Sequence, residues 1–174
     1  MFLSKAKSQA VLVCSLLLVC CAPAGSAAQT GPAWWGLVSY VVDGDTVWVR
    51  PAAGGKPLSI RLDGIDAPEI CQPAGAASRA ALVHRALGQR VAVHGKIHDV
   101  YGRQLARLVL NGEDLGGWMV TQGLAWSYHY RGNPGPYAPQ QERAQAAGLG
   151  LFSPAHGARP IYPREFRKQH GRCF

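Results

Sequence analysis

The chain lacks internal repeats, and it lacks an apolar segment long enough to form a permanent membrane anchor. Its longest apolar run, Ala10 to Cys21, is shorter than the roughly 20 helical residues that cross a bilayer. Without repeats, the 174 residues are expected to form one domain with its own core. We therefore expect no stable membrane insertion of the mature chain.

The apolar run instead indicates a targeting segment over residues 1–28. Two lysines precede it and small residues ending at Ala28 follow it, which is the order of a secretory signal peptide. We expect cleavage near Ala28 and a secreted or periplasmic mature protein. A lipoprotein alternative stays open because Cys21 lies near the end of the run, although the cysteine before it is unsuitable at that position.

Acidic residues are scarce, with 10 Asp and Glu against 18 Lys and Arg. Removal of the signal peptide takes away two lysines and no acidic residue, so the net charge falls only from +8 to +6. A basic protein of this kind favours polyanionic partners through phosphate contacts and counterion release. Charge therefore allows nucleic acid as a partner without establishing it.

Cysteine is also scarce, because three of the five cysteines belong to the predicted signal peptide. Cys71 and Cys173 remain, and an even pair in an oxidising compartment predicts a disulfide. The bond would tie the C-terminal tail to the middle of the chain. Two unpaired thiols are the alternative.

The stretch that organises the chain is predicted to form three strands and an acidic loop. Asp43-Gly44 is typical of a two-residue hairpin turn, followed by a strand over Asp45–Arg50. Apolar and polar residues then alternate over Leu58–Leu62, which places Arg61 on the polar face of a third strand. Glycine and proline end that strand in the loop Gly64–Glu69.

Two carboxylates can converge if these strands are neighbours. Asp45 begins the second strand and Asp66 follows the third. Carboxylate and carbonyl oxygens suit calcium better than zinc, so the pair predicts a calcium site. Arg61 beside it would supply a guanidinium for phosphate.

The remaining patterns predict two more strands and three helices. The strands are Arg90–His98 and Leu105–Leu110, and the helices are Pro73–Gly88, a segment capped by Asp114 and ending at Gly123, and Pro139–Ala147. Five short strands with a helix between the third and fourth predict an α+β, mainly β domain, an OB-fold barrel with about three packed helices. We divide the chain into a signal peptide (1–28), a linker (29–35), the barrel domain (36–150) and a basic irregular tail (151–174).

Several short motifs follow one another over about 110 residues, from Ser39 to Leu149. They are Val42–Val47, Ile60–Leu62, Gly64–Glu69, Tyr101–Ala106 and Gln122–Ala125. In this order and spacing the chain resembles the staphylococcal nuclease (thermonuclease) family. The resemblance implies an OB-fold and a calcium-dependent phosphodiesterase that acts on DNA and RNA and leaves 3′-phosphate and 5′-hydroxyl ends.

The resemblance also implies roles for individual residues. The metal ligands would be Asp45, Asp66 and the main-chain carbonyl of Ala67, where the family's prototype has threonine. Glu69 would act as general base or position the water, while Arg61 and Arg103 would bind the reacting phosphate. Residues that match the nucleotide-binding positions are Tyr101, Tyr128 and Tyr130.

Two other classes of function compete with a nuclease. An OB-fold module could hold nucleic acid without cutting it, but it would not need the combination of carboxylates and arginines. A structural or adhesive cell-surface protein would need only the signal peptide and the disulfide. We expect a monomeric nuclease whose partners are DNA and RNA.

Overall fold

A computed structural model describes residues 33–156, 160–171 and 173. The predicted signal peptide, its cleavage near Ala28 and the lipidation alternative at Cys21 lie outside the described residues. The first part of the predicted linker, residues 29–32, lies outside them too.

Five strands close into a small barrel. The strands of the chain are β1 (Ala33–Val41), β2 (Thr46–Pro51), β3 (Leu58–Leu62), β4 (Ile65–Asp66), β5 (Arg90–His98), β6 (Gln104–Leu110), β7 (Glu113–Asp114) and β8 (Trp126–Ser127). The main sheet runs β3-β2-β1-β5-β6-β7, and a parallel pairing of β3 with β6 closes it. The predicted α+β class and five-stranded OB-fold barrel are confirmed. The short strands β4 and β8 pair outside the barrel.

Alternation along the strands places the core inside the barrel. Strand β6 alternates buried and half-buried residues along its whole length. Strand β3 buries Ile60 and Leu62 and turns Arg61 to the other face. Fully buried Val38 and Leu108 join Ile60 in one apolar cluster, and burial of each such side chain contributes about 1.5–3 kcal/mol.

Four helices pack around the barrel in the described part of the chain. They are α1 (Gly75–Ala86), α2 (Leu115–Thr121), α3 (Ala138–Ala146) and α4 (Pro163–His170). Asp114 caps α2 as predicted, because its carboxylate accepts a hydrogen bond from the Gly116 amide at 3.1 Å. Pro139 lies in the first turn of α3, where its missing N–H costs nothing. None of these helices is long and apolar enough to cross a membrane.

The barrel begins earlier than predicted. Strand β1 starts at Ala33, so the last three residues assigned to the linker belong to the domain. Trp34 and Trp35 pair with Val93 and Ala92 of β5 in an antiparallel register. The proline and glycines nearby favoured a linker, but aromatic residues suit a strand and the pairing with β5 decides the outcome.

The tail is helical, rather than irregular, over α4. Prolines in this region led us to expect no regular structure, yet Pro163 occupies the first turn of α4, a position that proline favours. Short 3₁₀ turns over Gly150–Phe152 and Pro154–His156 precede it. Phe166, 7% exposed, anchors α4 to the rest of the fold.

Candidate active site

A turn between β1 and β2 places the first carboxylates. The predicted two-residue turn is wrong, because neither Asp43 nor Gly44 adopts a positive φ. The amides of Val42 and Asp43 both donate to the carbonyl of Thr46, at 2.9 and 3.4 Å. Asp43 Oδ1 accepts a hydrogen bond from the Asp45 amide at 2.9 Å, which holds the turn in the manner of an Asx turn.

Glycine is needed in this turn for space rather than for its conformation. A Cβ at Gly44 would lie 2.0 Å from Ser78 Oγ of α1 and 2.7 Å from the Ala67 Cβ. Ser78 Oγ donates to the carbonyl of Leu124 at 2.7 Å, so it is not free to move away. The turn is thereby packed between α1 and the acidic loop, and Asp45 is fixed in place.

Asp45 and Asp66 converge as the sequence predicted. Both are buried, with relative exposures of 6% and 2%. Asp45 Oδ2 accepts a hydrogen bond from the Ala67 amide at 2.8 Å. Arg61 bridges the two carboxylates, through an ion pair of Nη1 with Asp45 and a 2.9 Å hydrogen bond from Nη2 to Asp66 Oδ1. One cation therefore already lies against both aspartates.

Burial disfavours the ionised form of two of the carboxylates at this point. Burial raises the pKa of Asp66 to about 6, with Arg61 acting against the shift and Asp45 adding to it. Burial and repulsion from Asp45 raise the pKa of Asp43 to about 7. Three neighbouring carboxylates with one guanidinium among them would be stabilised by a further cation.

The donor atoms fit a hard divalent cation. Asp43, Asp45 and Asp66 offer carboxylate oxygens, the ligand type that calcium prefers. Within residues 33–156, 160–171 and 173, no group of three or more His, Cys, Asp or Glu side chains is arranged so that it could hold a metal ion. In chemical type the aspartates suit calcium and not zinc.

Glu69 meets the C-terminal helix. Its carboxylate forms an ion pair with Arg167 of α4, and both side chains are partly exposed. Although burial opposes it, the hydrogen bond with Glu69 raises the pKa of Arg167. The predicted disulfide between Cys71 and Cys173 is confirmed, with 5.7 Å between the Cα atoms. It joins the chain after α4 to the loop that carries Glu69.

Arg103 is held by the turn between β5 and β6. Asp99 Oδ1 accepts hydrogen bonds from the amides of Tyr101 and Arg103, at 2.9 and 3.0 Å. Asp99 Oδ2 pairs with the Arg103 guanidinium at 2.7 Å, and Arg103 Nη1 donates to Thr46 Oγ1 at 3.3 Å. The Tyr101 ring lies 5.5 Å from that guanidinium and is 61% exposed. Arg103 is thus directed across to the start of β2.

These side chains line one open cleft of about 450 Å³. We name it the catalytic cleft after the roles predicted for its residues, and it is lined by Asp43, Asp45, Arg61, Asp66, Ala67, Pro68, Glu69, Tyr101, Arg103, Arg167 and Cys173. It brings together every residue predicted to bind metal or to act in catalysis. Tyr128 and Tyr130 are not part of it, since they line a neighbouring cleft.

Two residues of the catalytic cleft were missed by the sequence analysis. Asp43 was treated as a turn residue, although its place two residues before Asp45 could have suggested a second carboxylate at the same site. Arg167 carried no local signal. The disulfide predicted between Cys71 and Cys173 was the available indication, because it brings the basic tail next to Glu69.

Comparison with known proteins agrees with the barrel and its cleft. A family model described as "Staphylococcal nuclease homologue" matches residues 59–154. This chain belongs to the staphylococcal nuclease family. The match ends before α4, so the family model does not cover the helix that supplies Arg167.

Several proteins resemble the chain over most of its length. An "Uncharacterized endonuclease" of Haemophilus influenzae is 35% identical over 132 residues, which cover 76% of this chain and 72% of that protein. A "Micrococcal nuclease" of Shigella flexneri is 33% identical over 143 residues, covering 74% and 81%. "Protein ParB" of Escherichia coli is 35% identical over 144 residues, covering 74% and 80%.

Proposed function

We propose that this member of the staphylococcal nuclease family is a calcium-dependent nuclease that hydrolyses phosphodiester bonds of DNA and RNA. The products would carry 3′-phosphate and 5′-hydroxyl ends. The observation that supports this most is that three aspartates, three arginines and a glutamate line one cleft. A module that only binds nucleic acid has no need of buried carboxylates beside the phosphate-binding arginines.

The aspartates would hold the metal. Asp45 and Asp66, with the main-chain carbonyl of Ala67, are the proposed ligands, and Asp43 adds a further negative charge beside them. When bound, calcium would act as a Lewis acid and template for a non-bridging phosphate oxygen. The family's threonine is alanine here, but a main-chain carbonyl does not depend on that side chain.

The arginines bind the charge of the phosphate. A guanidinium can donate two parallel hydrogen bonds to phosphate oxygens, and such donors aimed at developing charge lower the barrier most. Arg61 lies between Asp45 and Asp66 in the catalytic cleft, so its guanidinium is beside the place proposed for the metal and the phosphate. Arg103 approaches from the opposite turn, through Thr46.

Glu69 handles the attacking water. As the water oxygen bonds to phosphorus and the P–O5′ bond breaks in line, Glu69 takes one proton from the attacking water, and the leaving 5′ oxygen takes a proton from solvent water to become the hydroxyl. Arg167 holds the Glu69 carboxylate by an ion pair. The ion pair orients Glu69. To accept a hydrogen bond from the attacking water, the Glu69 carboxylate must give up part of its hydrogen bonding to Arg167.

The test uses oxidised protein without its first 28 residues. Doubly end-labelled single-stranded DNA, and RNA in parallel, is incubated with calcium and then with EGTA, and the ends of the products are analysed. We expect cleavage that requires calcium and leaves 3′-phosphates, with little activity in the Asp45→Asn variant. Folded protein that binds the strand and never cuts it would instead support the OB-fold binding module.

Export is part of the proposal. The disulfide is a structural bond of a kind that persists in oxidising compartments, which agrees with a signal peptide over residues 1–28. Expression of the full chain in a bacterial host, followed by N-terminal sequencing of the periplasmic and extracellular fractions, tests it. A mature protein beginning near residue 29 is expected. Full-length protein retained in the cytoplasm would contradict it.

A further inference from the structure

A second cleft adjoins the catalytic one. It has a volume of about 630 Å³ and lies between residues 128–131 and helix α4. Asp66 and Arg167 line both clefts, so the two form one continuous depression in the surface. We name the second one the flanking cleft.

One wall of the flanking cleft is aromatic. Tyr128 and Tyr130 are 46% and 53% exposed, so part of each ring is open to the cleft. Arg131 lies 5.1 Å from the centre of the Tyr130 ring. Exposed rings with a guanidinium beside them are the surface on which unpaired bases stack.

The other wall is cationic. Helix α4 buries Pro163 and Phe166 and exposes Arg164 and Lys168. Residues four apart share one helix face, and both of these line the flanking cleft. Glu165 is the single acidic residue that α4 adds there, so the helix brings a net positive charge to the cleft.

The two walls are joined firmly. The His129 and Tyr162 rings stand 4.7 Å apart and bridge the aromatic segment to the start of α4. The disulfide fixes the chain just after α4, while the Gln72 side-chain amide donates to the carbonyl of Ile161 just before it. The helix is therefore held at both ends against the loop that carries Glu69.

We propose that helix α4, which lies beyond the family match, binds the backbone of a single-stranded polynucleotide next to the scissile phosphate, beside the tyrosine positions that the family resemblance already assigns to nucleotide binding. Arg164 and Lys168 bind backbone phosphates, while Tyr128 and Tyr130 stack on unpaired bases. A duplex fits less well, because its bases already stack on each other and are not available to the tyrosines. The identity of the ligand rests on the proposed nuclease function, and the new element is that α4, beyond the family match, forms half of the binding surface.

The salt dependence of binding tests the cationic wall. Binding of a fluorescein-labelled 12-nucleotide single strand is measured by anisotropy in EGTA, across a range of salt concentrations. Each phosphate contact on a single strand contributes about 0.7 to the slope of log K against log salt, so Arg164→Ala/Lys168→Ala should make that slope less steep by about 1.4. The matched control, Arg50→Ala/Lys56→Ala, removes two exposed cations that line neither cleft. Equal slopes in the two double variants would overturn the proposal.

Stacking is tested with the same strand made abasic at successive positions. The Tyr130→Leu variant keeps an apolar side chain but loses the aromatic face, so intact and abasic strands should differ less in affinity than they do for the unaltered protein. A loss of about fivefold or more on the intact strand is expected, with little change on the abasic one. An equal loss on both strands, or an equal loss on a duplex of the same length, would contradict base stacking on a single strand.

Cleavage separates this proposal from the nuclease function. For the unaltered protein, kcat/KM on the 12-nucleotide strand is compared with that on a dinucleotide, and Arg164→Ala/Lys168→Ala should reduce the ratio of the two. Thermal melting and thiol titration confirm that the variant keeps its fold and its disulfide. If the unaltered protein cuts neither substrate, the nuclease function fails while the binding slopes still test the cleft. If the unaltered protein cuts both substrates, but Arg164→Ala/Lys168→Ala changes neither the kcat/KM ratio nor the salt slope, only the proposal for the flanking cleft fails.

Discussion

The two sides of the catalytic cleft are held in place by different means. Asp45, Arg61 and Asp66 come from the turn before β2, from β3 and from the short strand β4, so main-chain pairing and the core packing beside them fix them. Arg167 comes from α4, which is held by the disulfide, by its buried residues Pro163 and Phe166 and by contacts of the two residues just before it. The barrel side is therefore inseparable from the fold, whereas the helix side can be altered without unfolding the barrel.

The largest effect is expected on the barrel side, for Arg61→Lys. Lysine keeps the charge but cannot span both aspartates or bind phosphate with two parallel hydrogen bonds. We expect turnover of single-stranded DNA to fall about a hundredfold or more while the unfolding transition stays cooperative. Arg50→Lys, on the exposed face of β2, is the matched control. Near-normal turnover in folded Arg61→Lys protein would remove this residue from catalysis.

The next effect concerns the bond that fixes the helix side. Cys71→Ser/Cys173→Ser opens a loop with a sequence separation of 102 residues. The chain-entropy account gives a loss of up to about 5 kcal/mol in the free energy of unfolding, and less where packing of Phe166 keeps α4 in place. Urea unfolding measures it.

Reductant provides the control for this variant. It should lower the stability of the unaltered protein toward that of the double serine variant and leave the variant itself unchanged. An unaltered urea midpoint would show that α4 is ordered by packing alone. The contrast between the two sides of the cleft would then lose its basis.

The same contrast explains which parts of the site could be predicted. Strand β3, with Arg61 on its outer face, followed from an alternating pattern, and the convergence of Asp45 with Asp66 followed from strands that are neighbours along the chain. Helix α4 gave no such signal, because eight residues are too few to form a stable helix alone and tertiary contacts supply its order. Its ion pair to Glu69 joins residues 98 positions apart.

The turn before Asp45 was mispredicted for a related reason. Asp-Gly is a strong local signal for a two-residue hairpin, but the structure uses Gly44 to admit Ser78 and Ala67 from elsewhere in the chain. A sequence pattern cannot distinguish a glycine kept for conformation from one kept for space. Local rules therefore located the turn and missed its geometry.

A smaller effect is expected when that space is filled. In Gly44→Ala the new Cβ would overlap Ser78 Oγ and crowd Ala67, and overpacking of this kind costs about 1–3 kcal/mol. Because the turn carries Asp45, calcium affinity should fall together with the melting temperature. Adding Ser78→Ala removes one of the two clashing groups and should partly restore both. If the double variant is as impaired as the sum of the two single variants, crowding at Ser78 is not the cause.

The smallest effect is expected for Asp43→Asn, which tests the electrostatics of the barrel side of the catalytic cleft. The pKa of Asp43 is raised from 3.8 to about 7, so folding favours its protonated form. The contribution of this group to the free energy of unfolding is therefore fully present below about pH 4 and is lost as the pH rises through about 7. Asparagine stays neutral and can still accept the hydrogen bond from the Asp45 amide. In EGTA at pH 8 the variant should therefore be more stable than the unaltered protein, by on the order of 2 kcal/mol once partial exposure is allowed for.

Calcium should reverse the order of the two proteins. A bound cation is stabilised by the Asp43 carboxylate, so saturating calcium should raise the urea midpoint of the unaltered protein more than that of Asp43→Asn. Urea unfolding from pH 4 to 8, with calcium and with EGTA, measures both effects. If the urea midpoints of the two proteins in EGTA change in parallel with pH, burial does not disfavour the ionised carboxylate in the turn before β2. The case for a further cation among the carboxylates would then rest on the ligand type alone.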